Sequence, residues 1–370
     1  MGVRKVGVEE ELLLVDPATG CLTAVSRQAV RAHDERMSTP GETAADAPVE
    51  AELFLQQIES QTPPTTSMDE LAAHLRESRR AVGEAARAAG AAAVAVATPV
   101  LVDGEVTVTP QPRYLQIRQQ YAELARSSLA CAMHVHVDID SRVEGVRVLD
   151  AIAPWLPLLL AASANSPYAE GRDTGHASWR SQIWGRWPSH GTGEPFGDPA
   201  TYDRVVEQLV GWGAALDPAM AYFDARLAAE WPTVEVRVAD VCTEVEDAVL
   251  VTALTRGLVT TAAGAEPQPS WRSDLLRAAS WRAARHGLAE RLVDPAVQEL
   301  VPARAAMASL LRHVGPALEE AGDLALVEDG LEDLLARGTG ATRQRARFEG
   351  TGSLEAVVAD LVERTEASWR

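Results

Sequence analysis

Alternating hydrophobic and polar positions mark three stretches of the chain as strands. Residues 133–140 read MHVHVDID, and residues 232–240 read PTVEVRVAD. Residues 6–16, VGVEEELLLVD, follow a related pattern and end at the turn sequence DPATG. Because successive side chains of a strand point to opposite faces, each stretch can bury one apolar face and present one polar face. The pattern therefore predicts three half-buried strands.

The polar faces of two of these strands carry acids, imidazoles and an arginine. In the first stretch, alternation places His134, His136 and Asp138 on one face, opposite two valines and an isoleucine. In the second stretch, Glu235 and Arg237 lie opposite three valines. These faces meet either solvent or a functional site, and each one alone is compatible with solvent. Glu235 and Arg237 are also compatible with a simple cross-strand charge pair.

Further glutamates extend the same pattern. Glu9 and Glu11 share one face of the N-terminal strand, and Glu10 lies on the other. Glu52 and Glu59 follow in a segment closed by two prolines. On a helix, residues seven positions apart have their side chains on the same face. On an irregular strand, the two glutamates could instead serve two adjacent sites, and the sequence is compatible with both possibilities.

Helical and apolar patterns fill the rest of the chain. A helix is expected from about Ser67, with acidic residues in its first turn, to Gly90. The apolar segment 91–100 predicts a buried strand, and a further helix is expected over roughly 144–164. Residues 165–200 are dense in Gly, Ser, Arg and Trp and predict a long polar loop.

The order of these elements predicts one α+β domain over residues 1–370. Residues 1–242 form its sheet-bearing part, a mainly antiparallel sheet with helices on one side. Residues 243–370 have apolar spacings of three and four and form a helical region packed on it. The strand at 232–240 is the last one that the pattern predicts.

Composition narrows the classes of function. The chain has 34 Lys and Arg against 53 Asp and Glu, a net charge of -19, which disfavours a protein that binds nucleic acid backbones. The three cysteines are far apart, without a CxxC pair. The most apolar run, 154–164, is shorter than a membrane-spanning helix, and the N-terminus lacks the apolar segment of a signal peptide. We expect a cytoplasmic protein with no membrane and no nucleic acid partner.

Clustered carboxylates with an imidazole favour a hard divalent cation. Carboxylates a few ångströms apart repel one another unless a cation lies between them. Oxygen ligands with one imidazole suit Mg²⁺ or Mn²⁺ better than structural zinc, and two such ions can bridge ATP phosphates during phosphoryl transfer. The HxH pair also starts some zinc hydrolase sites, but the other histidines have no zincin spacing.

The segment 165–193 combines arginines with tryptophans in a polar, glycine-containing sequence. These residues are Arg172, Arg180, Arg186, Trp179, Trp184 and Trp187. Arginines in a flexible loop suit a lid that binds phosphates or carboxylates. Arginines stacked on tryptophans to close the loop are the structural alternative. The chain has no Walker loop and no GxGxxG, so ATP would not be held by either phosphate-binding sequence.

The ordered motifs resemble a known enzyme family over nearly the whole chain. They are VGVEEELLLVDP, AELFLQQIESQT, MHVHVDI, SANSPYAEGRDTGHASWRSQIWGRWP and PTVEVRVAD. The chain resembles the carboxylate–amine ligases called glutamate–cysteine ligase type 2. This resemblance implies a glutamine-synthetase-like catalytic fold with an antiparallel sheet whose inner face holds ATP and Mg²⁺, with Mn²⁺ as an alternative ion.

The resemblance also implies roles for individual residues. One Mg²⁺ would be held by Glu9, His134 and Glu235. The other Mg²⁺ would be held by Glu11, Glu52 and Glu59. His136 would lie near the nucleotide phosphates, Arg237 would bind the reacting carboxylate or the transferred phosphoryl group, and Arg180 and Arg172 would serve the same charges.

The implied reaction is ATP-dependent amide formation through an acyl phosphate. The substrates would be a small carboxylate, glutamate in the name of the family, and an amine such as cysteine; a homodimer would fit the analogy. The alternatives are a phosphagen-type kinase of the same fold and a non-catalytic nucleotide-binding protein. Two features depart from the family pattern: Asp138 replaces a common glycine, and ATPV at 97–100 lacks a common histidine.

Overall fold

The structure, a computed structural model, describes residues 2–38, 48–265 and 271–369. The strands are β1 (Val6–Val15), β2 (Val49–Ala51), β3 (Gln57–Gln61), β4 (Ala92–Val94), β5 (Ala132–Asp138), β6 (Tyr168–Ala169), β7 (Arg172–Asp173), β8 (Ala225–Leu227), β9 (Thr233–Asp240), β10 (Arg291–Asp294) and β11 (Glu299–Pro302). The helices are α1 (Ser26–Met37), α2 (Met68–Ala88), α3 (Pro112–Tyr121), α4 (Glu123–Arg126), α5 (Arg142–Ile152), α6 (Leu156–Ser163), α7 (Trp179–Trp184), α8 (Pro199–Gly211), α9 (Val245–Gly264), α10 (Ser273–His286), α11 (Ala303–Ala321), α12 (Leu324–Arg337), α13 (Gly340–Thr351) and α14 (Leu354–Ala367).

The main sheet is antiparallel throughout, as predicted. Its strands lie in the order β2-β3-β1-β5-β9-β8, and β4 pairs with the end of β1. The three strands predicted from alternation, β1, β5 and β9, are its adjacent central strands. The polar faces of these strands are therefore next to one another.

The apolar face of the sheet packs against helices. Val8, Val135, Val137, Val234 and Val236 are buried in one hydrophobic core with residues of α2, α5, α6, α9 and α11. Since these valines alternate with the acids and imidazoles of the same strands, burying them directs the polar side chains to the opposite face. The faces predicted from sequence are confirmed.

The middle glutamate of β1 is part of this core. Glu10 is 1% exposed and forms a two-pronged ion pair with Arg79 of α2, in which Nε and Nη2 donate over 2.8 and 2.6 Å. Arg79 also donates to the backbone carbonyls of Cys242 and Thr243 over 2.7 and 2.6 Å. Both charges are thus paired, and the pair joins β1 to α2 and to the segment that follows β9.

Several predicted elements differ from those in the structure. Only Ala92–Val94 of the apolar segment 91–100 is a strand. The expected loop 165–200 contains the β6–β7 hairpin and α7, and α8 begins at its end. The region after 243 is mainly helical, as expected, but β10 and β11 interrupt it as a hairpin. The strand at 233–240 is therefore not the last one.

The helical run from Arg142 to Ser163 joins α5 and α6 through a short 3-10 turn. Among the described residues, this run alone has the length and hydropathy of a helix that could cross a membrane. In its most apolar window, 78% of the residues are buried within the protein. It packs against β9 and α9 as a core element.

The helical C-terminal region contacts the sheet through Asn165. Its side-chain amide donates to the carbonyls of Ala95 and Val241 over 3.1 and 2.8 Å. Gln344 of α13 donates to the Asn165 side-chain oxygen over 2.8 Å. Gly340, the first residue of α13, packs so closely that an added Cβ would lie 2.0 Å from this oxygen.

Candidate metal centre on the sheet

Three glutamates from neighbouring segments meet on the polar face of the sheet. Glu11 of β1 and Glu59 of β3 are directly opposite each other, and Glu52 approaches from the connection between β2 and β3. One carboxylate oxygen of each lies within 4.8 Å of the others. Gln57 and the backbone N–H of Ala132 donate to Glu11 over 2.9 and 2.7 Å. The three glutamates predicted to share an ion are therefore together.

A second group lies beside the first. Ligand atoms of Glu9, His136 and Glu235 are within 4.8 Å of one another. His136 Nε2 lies 3.2 Å from Glu9 Oε1. His134 Nδ1 lies 3.0 Å from Glu9 Oε2 and 3.9 Å from Glu235 Oε1. Both imidazoles therefore border the second group. The structure groups His136 with Glu9 and Glu235, whereas the family resemblance implies His134 as the ligand.

Burial and neighbouring charges set the protonation of the second group. Burial, with the positive charge of Arg237, lowers the pKa of His134 to about 4. His134 is therefore neutral at neutral pH, the form in which imidazole binds metals. Its Nε2 is buried and has no hydrogen-bond partner within the described residues. Burial opposes ionisation of Glu9, but hydrogen bonds from His134 and His136 outweigh it and lower the pKa of Glu9.

Two arginines hold Glu235 in place. Arg226 of β8 donates through Nε and Nη2 to the two carboxylate oxygens over 2.6 and 3.1 Å. Arg237 of β9 donates to the same carboxylate through Nη1. Burial would raise the pKa of Glu235, but Arg237 and Arg226 outweigh it and lower the pKa. Glu235 is therefore a buried, ionised carboxylate of fixed orientation.

The first group fits a hard divalent cation. Burial and the charge of Glu52 raise the pKa of Glu11 to about 8. Burial also raises the pKa values of Glu52 and Glu59, the latter with help from the neighbouring glutamates. These raised pKa values reflect carboxylates withdrawn from water and close together, a charge imbalance that Mg²⁺ or Mn²⁺ would neutralise.

The second group fits such a cation by the chemistry of its donors, two carboxylates and an imidazole. Both oxygens of Glu235 also accept hydrogen bonds from arginine, so an ion here would share this carboxylate with Arg226 and Arg237. The two groups are adjacent on the sheet, since Glu9 and Glu11 belong to the same face of β1.

Two cavities meet at Arg237. The first, called here the carboxylate cavity, has a volume of about 200 Å³ and is lined by the Glu11, Glu52 and Glu59 group. The second, called the arginine cavity, has a volume of about 310 Å³. Its polar lining is Arg180, Ser181, Gln182, Arg186, His190, Asp224, Arg237, Arg277 and Ser280. Arg237 lines both cavities, as do Trp184 and Tyr222. Their shared wall is therefore cationic and aromatic.

Arg180 is fixed in the wall of the arginine cavity. It is 3% exposed, and its guanidinium donates to the backbone carbonyls of Val238 and Arg237 over 3.3 and 3.0 Å. Asp240 lies 4.0 Å away, and the Trp184 ring is 6.0 Å from the guanidinium carbon. Arg180 thus lies beside a tryptophan and lines the arginine cavity with a guanidinium of fixed position.

The structure does not bring every predicted arginine to this face. Arg172 is exposed on the β6–β7 hairpin and lines neither cavity. Arg186 is exposed at the rim of the arginine cavity, where Nη1 donates to the Ser127 hydroxyl over 3.1 Å. The remaining predicted site residues lie in the two groups or line the cavities that meet at Arg237.

The sequence did not identify several residues of the site. Arg226 lies in a strand of only three residues, which is too short to show alternation. Tyr114 and Tyr222 line the carboxylate cavity from segments without a distinctive pattern. The Arg226 side chain is opposite Glu235 across β8 and β9, so knowledge of the strand pairing would have found it.

Comparisons with known proteins point to a single family. The sequence model of glutamate–cysteine ligase family 2 matches residues 5–360. A protein of Nocardioides sp. with the provisional name glutamate–cysteine ligase 2-1 is 49% identical over 375 residues, covering 100% of this chain and 97% of that protein. A second such protein, 2-2 of Frankia alni, is 46% identical and covers 98% and 97%.

Solved structures share the fold at low sequence identity. Glutamate–cysteine ligase of Francisella tularensis, in complex with AMP, has a TM-score of 0.73 and 12% identity over 100% of this chain and 89% of that one. A bifunctional glutathione synthetase of Pasteurella multocida has a TM-score of 0.68 and 16% identity, covering 98% and 52%. The predicted glutamine-synthetase-like α+β fold is confirmed.

Proposed function

The chain belongs to glutamate–cysteine ligase family 2, and on that premise we propose that it is an ATP-dependent carboxylate–amine ligase. The γ-phosphoryl group of ATP is transferred to an oxygen of the substrate carboxylate, which yields ADP and an acyl phosphate. The amine nitrogen then attacks the acyl carbon and loses a proton, and phosphate leaves as the amide bond forms. With glutamate and cysteine the product is γ-glutamylcysteine, and we expect this activity to be weak.

The observation that carries the proposal is the grouping of glutamates beside two arginines. Glu11, Glu52 and Glu59 would hold one Mg²⁺. Glu9 and Glu235 would hold the other, with His134 or His136 as the imidazole ligand. Bound Mg²⁺ would neutralise phosphate charge during phosphoryl transfer. The glutamates then serve to position the phosphates rather than to form covalent intermediates.

Arginines would orient the reacting carboxylate on the side of the site that faces the arginine cavity. Arg237 lines both cavities, so its guanidinium can face phosphate oxygens on one side and the acid on the other. Arg180 is buried and charged in the arginine cavity, where it attracts the same anionic groups. His136 would face the nucleotide phosphates. No role in this reaction is assigned to Arg172.

The test is Mg²⁺-dependent formation of ADP and of an amide product. Purified protein is incubated with ATP, glutamate or another carboxylate, and cysteine or another amine. We expect sustained formation of ADP over many turnovers only when both an acid and an amine are present, with the amide detected by mass spectrometry. Glu59→Gln and Glu235→Ala should lower the rate of ADP formation by about 100-fold or more, because each removes an ion ligand.

Glu50→Gln is the matched control for Glu59→Gln. Glu50 is opposite Glu59 in the β2–β3 pair, but it is exposed and does not line the carboxylate cavity. We expect this variant to retain the wild-type rate. ADP formation with a guanidine and without an amide would instead indicate a kinase. ATP binding with no ADP from any pair would indicate a non-catalytic binding protein.

A further inference from the structure

A third cavity opens at the opposite end of the metal groups from the arginine cavity. It has a volume of about 420 Å³ and is called here the β1-end cavity, because Lys5 and the first residues of β1 form one wall. Glu9 and His136 lie at its inner end, and Glu9 also lines the carboxylate cavity. A ligand whose phosphates lie at the ions can therefore extend into this cavity.

The lining of the β1-end cavity suits a flat, mostly apolar group with few polar contacts. Pro64 and Pro232 contribute apolar surface, whereas the side chains of Val6 and Val8 are buried in the core on the other face of the sheet. Trp231 also lines it and is 63% exposed, although indole is among the largest apolar side chains. An exposed aromatic face at a cavity of this size offers a stacking surface for a base.

Asp138 supplies an unpaired acceptor oxygen to the same cavity. It lies on the strand face that carries His136, two residues further along β5. Its Oδ1 atom is buried and makes no hydrogen bond to any described residue. Arg4 donates to the backbone carbonyl of Asp138 over 2.7 Å and to Glu144, and so leaves this oxygen free. A buried acceptor without a donor costs free energy until a ligand supplies the donor.

Resting on the proposed function, we propose that the β1-end cavity binds the base of the nucleotide and that Asp138 selects adenine. An ionised carboxylate only accepts hydrogen bonds. The 6-amino group of adenine donates one, whereas guanine and hypoxanthine carry a carbonyl oxygen at that position. Facing position 6 of the purine, Asp138 favours the amino group of adenine and repels the carbonyl oxygen of 6-oxopurines. Trp231 stacks on either kind of base without selecting between them.

The test measures nucleotide binding without turnover. The fluorescent probe mant-ADP is bound to the full chain with Mg²⁺ and is displaced by ADP or by IDP, which differ at position 6 of the purine. We expect wild-type protein to bind ADP about tenfold more tightly than IDP. Asp138→Asn should bring this ratio close to one, because the amide can also donate to a carbonyl. Trp231→Ala should weaken both nucleotides by similar factors and leave the ratio unchanged.

Asp140→Asn is the matched control, since Asp140 is exposed two residues further along and does not line the cavity. It should retain the wild-type ratio, and unchanged circular dichroism should show that each variant folds. A wild-type ratio near one, or the same ratio in Asp138→Asn as in wild type, would overturn the assignment of Asp138 and leave the ligase proposal intact. Failure of mant-ADP to bind wild-type protein would overturn both.

Discussion

At the scale of single residues, Glu235 is surrounded by two arginines and an imidazole. Arg226 and Arg237 bind both carboxylate oxygens, and the imidazole of His134 lies 3.9 Å from one of them. The arginines keep Glu235 ionised despite its burial. An ion bound at this carboxylate would therefore meet a ligand that is already charged and oriented, which lowers the cost of assembling the site.

Arg226 should therefore be needed for full activity, although it lies outside the predicted site. Arg226→Gln removes both of its hydrogen bonds to Glu235, and we expect ADP formation to fall by about 10- to 100-fold. Arg226→Lys keeps the charge but loses the two-pronged geometry, so its rate should lie between those of Gln and wild type. The measurement is the initial rate of ADP formation at saturating Mg²⁺.

Arg204→Gln is the control for the loss of one arginine. Arg204 is exposed on α8 and lies outside the three cavities. Its replacement should leave the rate unchanged. A wild-type rate for Arg226→Gln would show that Arg237 alone suffices to hold Glu235.

The residues that alternation identified and those that it missed differ in a physical way. Glu9, Glu11 and Glu235 lie in strands of eight or ten residues, long enough to bury an apolar face and so reveal the polar one. Glu52 lies between strands, and only its spacing of seven residues from Glu59 in the sequence suggested a shared role. Asp138 was visible in sequence, but the cavity that it lines also needs Trp231, which comes from a distant segment.

At the scale of secondary structure, the contact between α13 and Asn165 has the least room to change. An added Cβ at Gly340 would lie 2.0 Å from the Asn165 side-chain oxygen and 3.0 Å from its Cβ. We expect Gly340→Ala to lower the free energy of unfolding by about 2 kcal/mol or more, because Asn165 must move and release buried hydrogen bonds. Urea denaturation of the purified variants measures this change.

Gly350→Ala is a control within the same helix. No atom lies within 4 Å of an added Cβ at Gly350, so only the higher helix propensity of alanine acts. This variant should be as stable as wild type or slightly more stable. Equal stabilities of the two variants would contradict the view that α13 is fixed at Asn165.

Long elements could be predicted from sequence, whereas short ones depended on tertiary contacts. The helix expected from about Ser67 to Gly90 is Met68–Ala88, and Ser67 is its N-cap. In contrast, the alanine-rich segment 91–100 forms only a three-residue strand, because it pairs with just the end of β1. The β6–β7 and β10–β11 hairpins have strands of two and four residues, too short for a periodic pattern.

At the scale of the whole molecule, Glu244 joins the sheet-bearing part to the last helices. It follows β9 and accepts hydrogen bonds from Arg343 of α13 over 2.7 Å and from Arg364 of α14 over 2.8 Å. Burial opposes its ionisation, but Arg364 and Arg343 outweigh burial and hold the pKa of Glu244 below its ordinary value. The interaction is therefore strongest with Glu244 ionised.

This lowered pKa gives the contribution of Glu244 to stability a definite pH dependence. The contribution is complete above the unfolded-state pKa of about 4.3 and is lost as the pH falls through the lower folded-state pKa. At pH 7 we expect Glu244→Gln to reduce the free energy of unfolding by about 1 kcal/mol. The difference from wild type should shrink below about pH 4. Urea denaturation across this pH range measures it.

Glu363→Gln, a substitution at an exposed position of α14, is the control and should leave stability unchanged at every pH.

The same experiment tests whether residues 1–370 form one domain, which stays a prediction. One domain should unfold in a single transition, with tryptophan fluorescence and circular dichroism changing together. A difference for Glu244→Gln that grows as the pH falls would contradict the assigned pKa direction.

The three successive glutamates of β1 also protect the alignment of this strand against slippage. Shifting β1 by one residue would turn Glu9 and Glu11 into the apolar core and would separate Glu10 from Arg79. A misaligned chain would then bury two unpaired charges and expose a third. The cost of burying these charges would offset most of the free energy gained by packing the strand into the sheet. The run of three glutamates thus favours the native register of β1 during folding. Single-residue insertions or deletions within it should be among the least tolerated in the chain.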